Sequence, residues 1–136
     1  MKLTRLIATA ALALASLALN AETLSYTINS KWEFRRGDYP ENTWTIVNIP
    51  HTWNAQDVDD DTPGYYRDKG YYRRQVMIPS AAEGKRVYLK FEGVGQECDV
   101  LVNSRKVVSK IGCYSVFSSV ITDEVDRRKY CDVVLN

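Results

Sequence analysis

Apolar and polar residues alternate at every second position over much of the chain after residue 22. Over residues 86–92, Val87, Leu89 and Phe91 fall on one side of an extended chain, opposite mostly polar residues. A period of two is typical of a strand with one buried face. The same pattern predicts strands over residues 44–49, 72–78 (interrupted by Arg74), 99–103, 105–108, 114–116 and 130–135.

Turn-forming sequences separate the predicted strands, and no long segment after residue 22 repeats apolar residues at helical spacing. Glycine, proline and asparagine favour the backbone angles of tight turns. Many short strands joined by turns predict an all-β sandwich. The turn sequences are Gly37-Asp38-Tyr39-Pro40, Asp61-Thr62-Pro63-Gly64, Ala82-Glu83-Gly84 and Asn103-Ser104.

Residues 1–21 have the pattern of a secretory signal peptide helix. Lys2 and Arg5 precede an apolar run over residues 6–19, and Ala21 offers a small residue for cleavage. The run is shorter than the roughly 20 residues that span a membrane. We therefore expect cleavage after Ala21, one domain over residues 22–136, a periplasmic or secreted location and no membrane contact afterwards. The alternative is an uncleaved anchoring helix.

The charge balance limits the class of partner. The chain carries 18 Lys and Arg residues against 17 Asp and Glu residues, a net charge of +1 at pH 7. Binding to nucleic acid or to an anionic membrane requires a concentrated basic surface. The basic pairs of this chain are scattered, so the composition argues against both partners.

Five sequence blocks occur in an order that is typical of one enzyme family. They are V-N-I-P-H-T-W-N-A-Q-D at 47–57, Y-Y-R-D-K-G-Y-Y-R-R at 65–74, K-F-E-G-V at 90–94, D-V-L-V-N at 99–103 and G-C-Y-S-V-F at 112–117. Together they resemble the N-terminal sugar-binding domain of glycoside hydrolase family 2, which includes β-galactosidases, β-glucuronidases and β-mannosidases. The resemblance implies that the sandwich is a jelly roll.

The resemblance also implies a function without catalysis. Family members carry their two catalytic glutamates on a barrel that follows this domain and an immunoglobulin-like domain, whereas this sequence ends at Asn136. We expect a module that binds carbohydrate, such as a β-galactoside, and supports a downstream barrel, with no catalytic residue or cofactor of its own. We also expect the domain to be incomplete at its C-terminal end and marginally stable. The alternatives are a stand-alone carbohydrate-binding or adhesion module, or a remnant without function.

The segment from residue 51 to residue 69 contains the candidate binding residues. Trp53 could stack on a sugar ring and His51 could bond hydroxyls, although an aromatic residue at a strand end more often plugs the sandwich. In β-galactosidases of the family, the loop before the strand matching 71–78 helps shape the sugar subsite. The resemblance therefore implies that Arg67 and Asp68 could contact sugar. The alternative is an exposed ion pair of little energetic value.

An acidic run in this segment partly matches a calcium-binding loop. Asp57, Asp59 and Asp61 alternate, and Asp68 stands at the twelfth position counted from Asp57. The glycine that such loops need at the sixth position is replaced by Thr62, and no helices flank the run. A solvated acidic loop without metal is the favoured interpretation.

Cys98, Cys113 and Cys131 allow three alternative single disulfides. A secretory context permits such a bond, but cysteines in strands often serve as small buried apolar residues, which we favour here. A catalytic thiol is disfavoured because His51 is the only histidine.

The chain lacks several turn glycines of the family. Asp68, Ser104 and Val108 stand at glycine positions of the family, Lys110 stands at its histidine position, and Ile111 precedes the glycine that is retained at 112. A branched side chain does not easily adopt positive φ. These losses suggest a divergent copy.

Overall fold

The computed structural model describes residues 23–53 and 68–136. Within these ranges it contains a short α-helix, α1 (Thr122–Val125), a 3-10 turn at Ser80–Ala82, and strands β1 (Trp32–Arg36), β2 (Thr45–Val47), β3 (Gly70–Met77), β4 (Tyr88–Phe91), β5 (Glu97–Val102), β6 (Arg105–Ile111), β7 (Phe117–Val120) and β8 (Tyr130–Leu135). The predicted signal peptide lies outside the described residues. Among the residues described, no helix has the length and apolarity needed to cross a membrane.

The strands form two antiparallel sheets. The larger sheet has the order β2-β1-β3-β8-β5-β6, and β4 pairs with β7 in the smaller one. Strand β8 comes last in the described chain yet lies between β3 and β5, pairing antiparallel with both. This arrangement confirms the predicted all-β jelly-roll sandwich.

The core consists of the residues that the two sheets turn toward each other. Strands β5 and β8 alternate strictly between buried and more exposed positions, as a two-residue period requires. Trp32 of β1 and Leu89 of β4 enter the same cluster, and the indole nitrogen of Trp32 donates a hydrogen bond to the carbonyl of Ile28. The buried cluster is Trp32, Leu89, Val100, Val102, Ile121, Val125, Cys131, Val133 and Leu135.

Six of the seven predicted strands are confirmed, five of them with shifted ends. The predicted strand over 114–116 is wrong: these residues form a turn, and β7 begins only at Phe117. The turn is held in place because Gly112 has a φ of 74° and donates its amide hydrogen to the carbonyl of Gln96 at 2.6 Å. Alternation alone did not reveal this reversal, since Tyr114 and Val116 have strand-like side chains.

Strand β1 was not predicted, because consecutive arginines obscure its period. Arg35 lies on the outer face of the large sheet, with its guanidinium carbon 4.6 Å from the ring centre of Tyr71 and 5.3 Å from that of Trp44. Cation–π contacts of this kind let a charged residue occupy a half-buried strand position. The hydropathy of these residues alone therefore did not predict a strand.

The β5–β6 hairpin turns at Asn103 and Ser104, as predicted. Their φ angles are 50° and 67°, in the left-handed region. The side chain of Asn103 also accepts a hydrogen bond from the amide of Asp132 at 2.9 Å and donates one to the carbonyl of Glu124 at 2.7 Å. Asn103 thereby fixes the hairpin to β8 and to α1.

We predict that Ser104→Gly stabilises the chain. Left-handed φ costs an L-residue about 1–2 kcal/mol, and glycine avoids this cost while losing somewhat more entropy on folding. The free energy of unfolding should rise by about 0.5 kcal/mol, measured by urea denaturation. Ser118→Gly, on the exposed side of β7, is the control and should lower it by about 0.5–1 kcal/mol. Equal losses at both positions would contradict the strain argument.

Candidate functional site

The residues that follow β2 fold back onto the start of β3. After the cis peptide bond between Ile49 and Pro50, His51 and Trp53 pack against Phe34 of β1 and Tyr72 of β3. The ring centre of Phe34 lies 4.7 Å from that of His51 and 4.8 Å from that of Tyr72. We call Phe34, His51, Trp53 and Tyr72 the aromatic cluster.

The hydroxyl of Tyr72 connects the polar atoms of the aromatic cluster. The indole nitrogen of Trp53 donates to the Tyr72 oxygen at 2.8 Å, and Nδ1 of His51 lies 2.8 Å from the same oxygen. The half-buried indole N–H of Trp53 and imidazole of His51 thus both have hydrogen-bond partners, as is usual for polar groups that are shielded from water. The sequence pattern indicated His51 and Trp53 as site residues but gave no sign of Tyr72.

Gly70 is the second residue that sequence analysis missed. A Cβ at this position would lie 2.6 Å from Cζ2 of Trp53 and 3.0 Å from a ring carbon of Phe34. Real carbon atoms do not approach so closely, so only glycine lets the indole rest on the β3 backbone. The signal in the sequence was the glycine that precedes the two tyrosines of β3.

Burial sets the protonation state of the aromatic cluster. Desolvation raises the pKa of Tyr72 to about 12, although the hydrogen bond from Trp53 acts in the opposite direction. Burial also lowers the pKa of His51 from its usual value. We therefore assign a neutral imidazole that accepts the Tyr72 proton at Nδ1, which leaves Nε2 of His51 as a donor.

The aromatic cluster has a clear structural role, since it fixes both ends of the segment between residues 53 and 68. Trp53 contacts Gly70, and Asp68 comes two residues before that glycine. The carbonyl of Lys69 accepts a hydrogen bond from the amide of Gly37 at 2.7 Å, which ties this end to the turn after β1. The structure thus brings His51, Trp53 and Asp68 to one end of the large sheet. Sugar contact by any of them stays a prediction.

The remaining predicted site residues are only partly described. Asp68 is exposed, and its Oδ1 accepts a hydrogen bond from the amide of Lys69 at 2.9 Å. Arg67 and the calcium candidates Asp57, Asp59 and Asp61 lie outside the described residues. Over residues 23–53 and 68–136, no group of three or more His, Cys, Asp and Glu residues is placed to hold a metal ion.

Trp44, on the outer face of the large sheet, has two arginine guanidinium groups over its ring. Arg73 places its guanidinium carbon 3.9 Å from the ring centre of Trp44, and Arg35 lies 5.3 Å from the same centre. Glu33 pairs with Arg73 at 2.5 Å. Because guanidinium groups lie over Trp44, we do not regard this indole as an open platform for a sugar ring.

We predict that acid weakens the fold through His51. Its pKa is lowered in the folded state, so below about pH 6.5 the unfolded chain binds more protons and the free energy of unfolding falls. In His51→Asn, whose amide can replace Nδ1, this loss should be smaller between about pH 7.5 and about pH 5.5. Urea denaturation at several pH values measures the free energy of unfolding of both proteins. Subtracting one pH profile from the other removes the contribution of the carboxylates, which both proteins share. Parallel profiles would contradict the assignment.

Comparison with known proteins gives this fold a family. The family described as glycosyl hydrolases family 2, sugar binding domain, matches residues 13–134. A β-glucuronidase from Bacteroides fragilis is 35% identical over 114 residues, which are 84% of this chain and 16% of that protein. A β-galactosidase from Thermoanaerobacter pseudethanolicus is 29% identical over 119 residues, covering 78% of this chain and 16% of its own length.

A solved structure agrees with these sequence matches. The crystal structure of a Bacteroides uniformis β-glucuronidase superposes with a TM-score of 0.70 at 28% identity, covering 81% of this chain and 14% of that one. The chain thus spans about a sixth or less of these enzymes. Since the match extends over nearly all of its residues, the chain belongs to the sugar-binding domain family of the family 2 glycosyl hydrolases.

Proposed function

We propose that this chain is the non-catalytic N-terminal sugar-binding module of an enzyme that hydrolyses β-galactosides or related glycosides such as β-glucuronides. The observation that carries the proposal is coverage: the family matches residues 13–134, whereas the match to the B. fragilis β-glucuronidase takes up only 16% of that protein. In this role the module supports and lines the entrance of a catalytic barrel further along the enzyme.

The carboxylates of the described residues support a role without catalysis. Glycoside hydrolysis needs one carboxyl kept protonated by its surroundings beside one that is ionised. Among the described residues no charged residue is fully buried, and the largely buried Glu124, with 10% of its side chain exposed, lies in an ion pair whose partner, 3.6 Å away, is the guanidinium of Arg105 and not a second carboxylate. Asp99, 2.7 Å from the Lys106 ammonium, instead has a pKa below its usual range because that group donates a hydrogen bond to it.

The position of Asp68 supports a role in binding. It lies exposed at the end of the large sheet where the aromatic cluster fixes the neighbouring backbone. An anchored segment places its side chains with little loss of conformational entropy when a ligand binds. We propose that Asp68 accepts a hydrogen bond from a sugar hydroxyl, that Arg67 donates one, and that His51 and Trp53 act mainly by holding this end in place.

A chimeric enzyme tests this proposal. Residues 22–136 would replace the matching segment of the B. fragilis β-glucuronidase, and turnover of a nitrophenyl β-glucuronide would be measured. We expect the chimera to be active. In it, the double variant Arg67→Ala, Asp68→Ala should raise KM by about 3–10-fold and change kcat by less than about 2-fold, because the lost contact stabilises the bound substrate and the transition state equally. The purified chain alone should show no turnover of β-glucuronide, β-galactoside or β-mannoside.

Glu83→Ala is the matched control in the chimera. Glu83 is an exposed acid beyond the opposite end of β3, about 25 Å from Asp68 along an eight-residue strand. Its replacement should leave both kinetic constants unchanged. Equal KM values in the double variant and the control would overturn the binding role, and turnover by the isolated chain that vanishes with one of its own acids would overturn the non-catalytic assignment.

We also propose that the module is exported. The basic start and the apolar run of residues 6–19 support this. Expressed in a Gram-negative host, the chain should appear in the periplasm with Glu22 as its first residue, which intact-mass measurement would show. Full-length protein with Met1, held in the inner membrane, would instead identify residues 1–21 as an anchor.

A further inference from the structure

Two of the three cysteine side chains lie in direct contact. Cys98 belongs to β5 and Cys113 to the turn between β6 and β7, and their sulfur atoms are 2.9 Å apart. Both are buried, with 2% and 0% of their surface exposed. All three cysteines are thiols in the structure.

The backbone brings these two sulfurs together. The amide of Gly112 donates to the carbonyl of Gln96 at 2.6 Å, and the amide of Val94 donates to the carbonyl of Cys113 at 2.9 Å. The turn is thereby fastened to the chain just before β5 on both sides of the cysteine. Since main-chain hydrogen bonds set the distance, the contact does not depend on a flexible side chain.

Cys131 is too far away to take part. The register pairs Val102 with Val133 and Val100 with Leu135, so Cys131 lies level with residue 104. That is about six positions from Cys98, or roughly 20 Å along the strands. A disulfide requires Cα atoms within about 7 Å. The geometry therefore excludes Cys131 as the partner of either of the other two.

We propose that Cys98 and Cys113 form a structural disulfide that fastens the turn before β7 to β5, while Cys131 stays a thiol. Formation of the S–S bond removes two protons and two electrons from the pair. A disulfide of the glutathione or dithiol-oxidoreductase class accepts them. One cysteine thiolate attacks the donor and releases one donor thiol, and the second then attacks the mixed disulfide and releases the other.

The bond forms while the chain folds and not afterwards. The attacking species in disulfide exchange is the thiolate. In the folded protein, burial first and the neighbouring Cys113 second raise the pKa of Cys98 to about 12, so its thiolate is scarce at neutral pH. Burial also keeps a donor from reaching the pair. The reduced folded protein should therefore resist both oxidation and alkylation at Cys98.

The bond also has a consequence for the surface beside it. Tyr114 and Val116, which follow Cys113 in the turn, are 69% and 59% exposed. Opening of the turn would add the buried side chains of Cys98 and Cys113 to this exposed apolar surface, and larger exposed apolar patches favour aggregation. The cross-link keeps this turn closed, and it closes a loop of about fifteen residues around the β5–β6 hairpin, which restricts the unfolded chain.

Oxidative refolding of the full chain tests the proposal. The denatured, reduced protein is refolded in a mixture of reduced and oxidised glutathione, then unfolded in guanidinium chloride at about pH 7 with excess N-ethylmaleimide present, which labels free thiols as thiolates. We expect a monomer about 2 Da lighter before labelling that takes up one label instead of three. Trypsin cuts between the two cysteines at Arg105, Lys106 and Lys110, so a linked peptide pair identifies the bond. Three labels, an intermolecular link or a link through Cys131 would overturn the proposal.

Variants separate the bond from general effects of cysteine replacement. Cys131→Ala should keep the linked peptide pair, and its oxidised form should melt about 5–10 °C above its reduced form. Cys98→Ala with Cys113→Ala should be insensitive to reductant. A melting temperature that reductant does not change in Cys131→Ala would overturn the structural role. None of these outcomes depends on sugar binding, so the two proposals fail independently.

Discussion

The insertion of β8 between β3 and β5 is the constraint on which the rest of the structure depends. Its backbone joins two otherwise separate parts of the large sheet, and its side chains Cys131, Val133 and Leu135 contribute to the buried core. Without this strand, β3 and β5 would each expose a row of unpaired amide and carbonyl groups. The pairing is also non-local, since β3 and β8 are separated by more than fifty residues. The fold therefore depends on contacts between residues that are far apart in the sequence.

The aromatic cluster depends on that pairing in turn. Tyr72 lies on the strand that β8 holds in place, pairing with Leu135, and its hydroxyl positions His51 and Trp53. Gly70 provides the surface on which the indole rests. A rigid sheet can thus define both ends of the 53–68 segment, and functional residues are commonly found on segments that a rigid scaffold positions in this way.

Sequence periodicity predicted those strands whose side chains alternate between a buried and an exposed face without help from contacts elsewhere in the chain. β8 was predicted at its observed bounds because apolar residues recur at every second position, Cys131, Val133 and Leu135. β1 was missed because Arg35 is accommodated by aromatic rings from other parts of the chain. The site residues also fall into two groups, those that local sequence indicated and those that it did not. His51 and Trp53 follow a strand end and were found, but Tyr72 and Gly70 gain their roles only through contacts across the sheet, which no local pattern encodes.

The missing turn glycines show how much backbone strain the sandwich can absorb. Asn103 and Ser104 take up positive φ at the β5–β6 turn, and the Asn103 side chain offsets part of that cost with two hydrogen bonds. At Val108 and Ile111 no positive φ is needed, because β6 runs extended through both positions. The next reversal comes at Gly112, where glycine is retained. The chain therefore keeps these turns at the same positions with residues that tolerate them, which is divergence within a maintained fold and not decay of it.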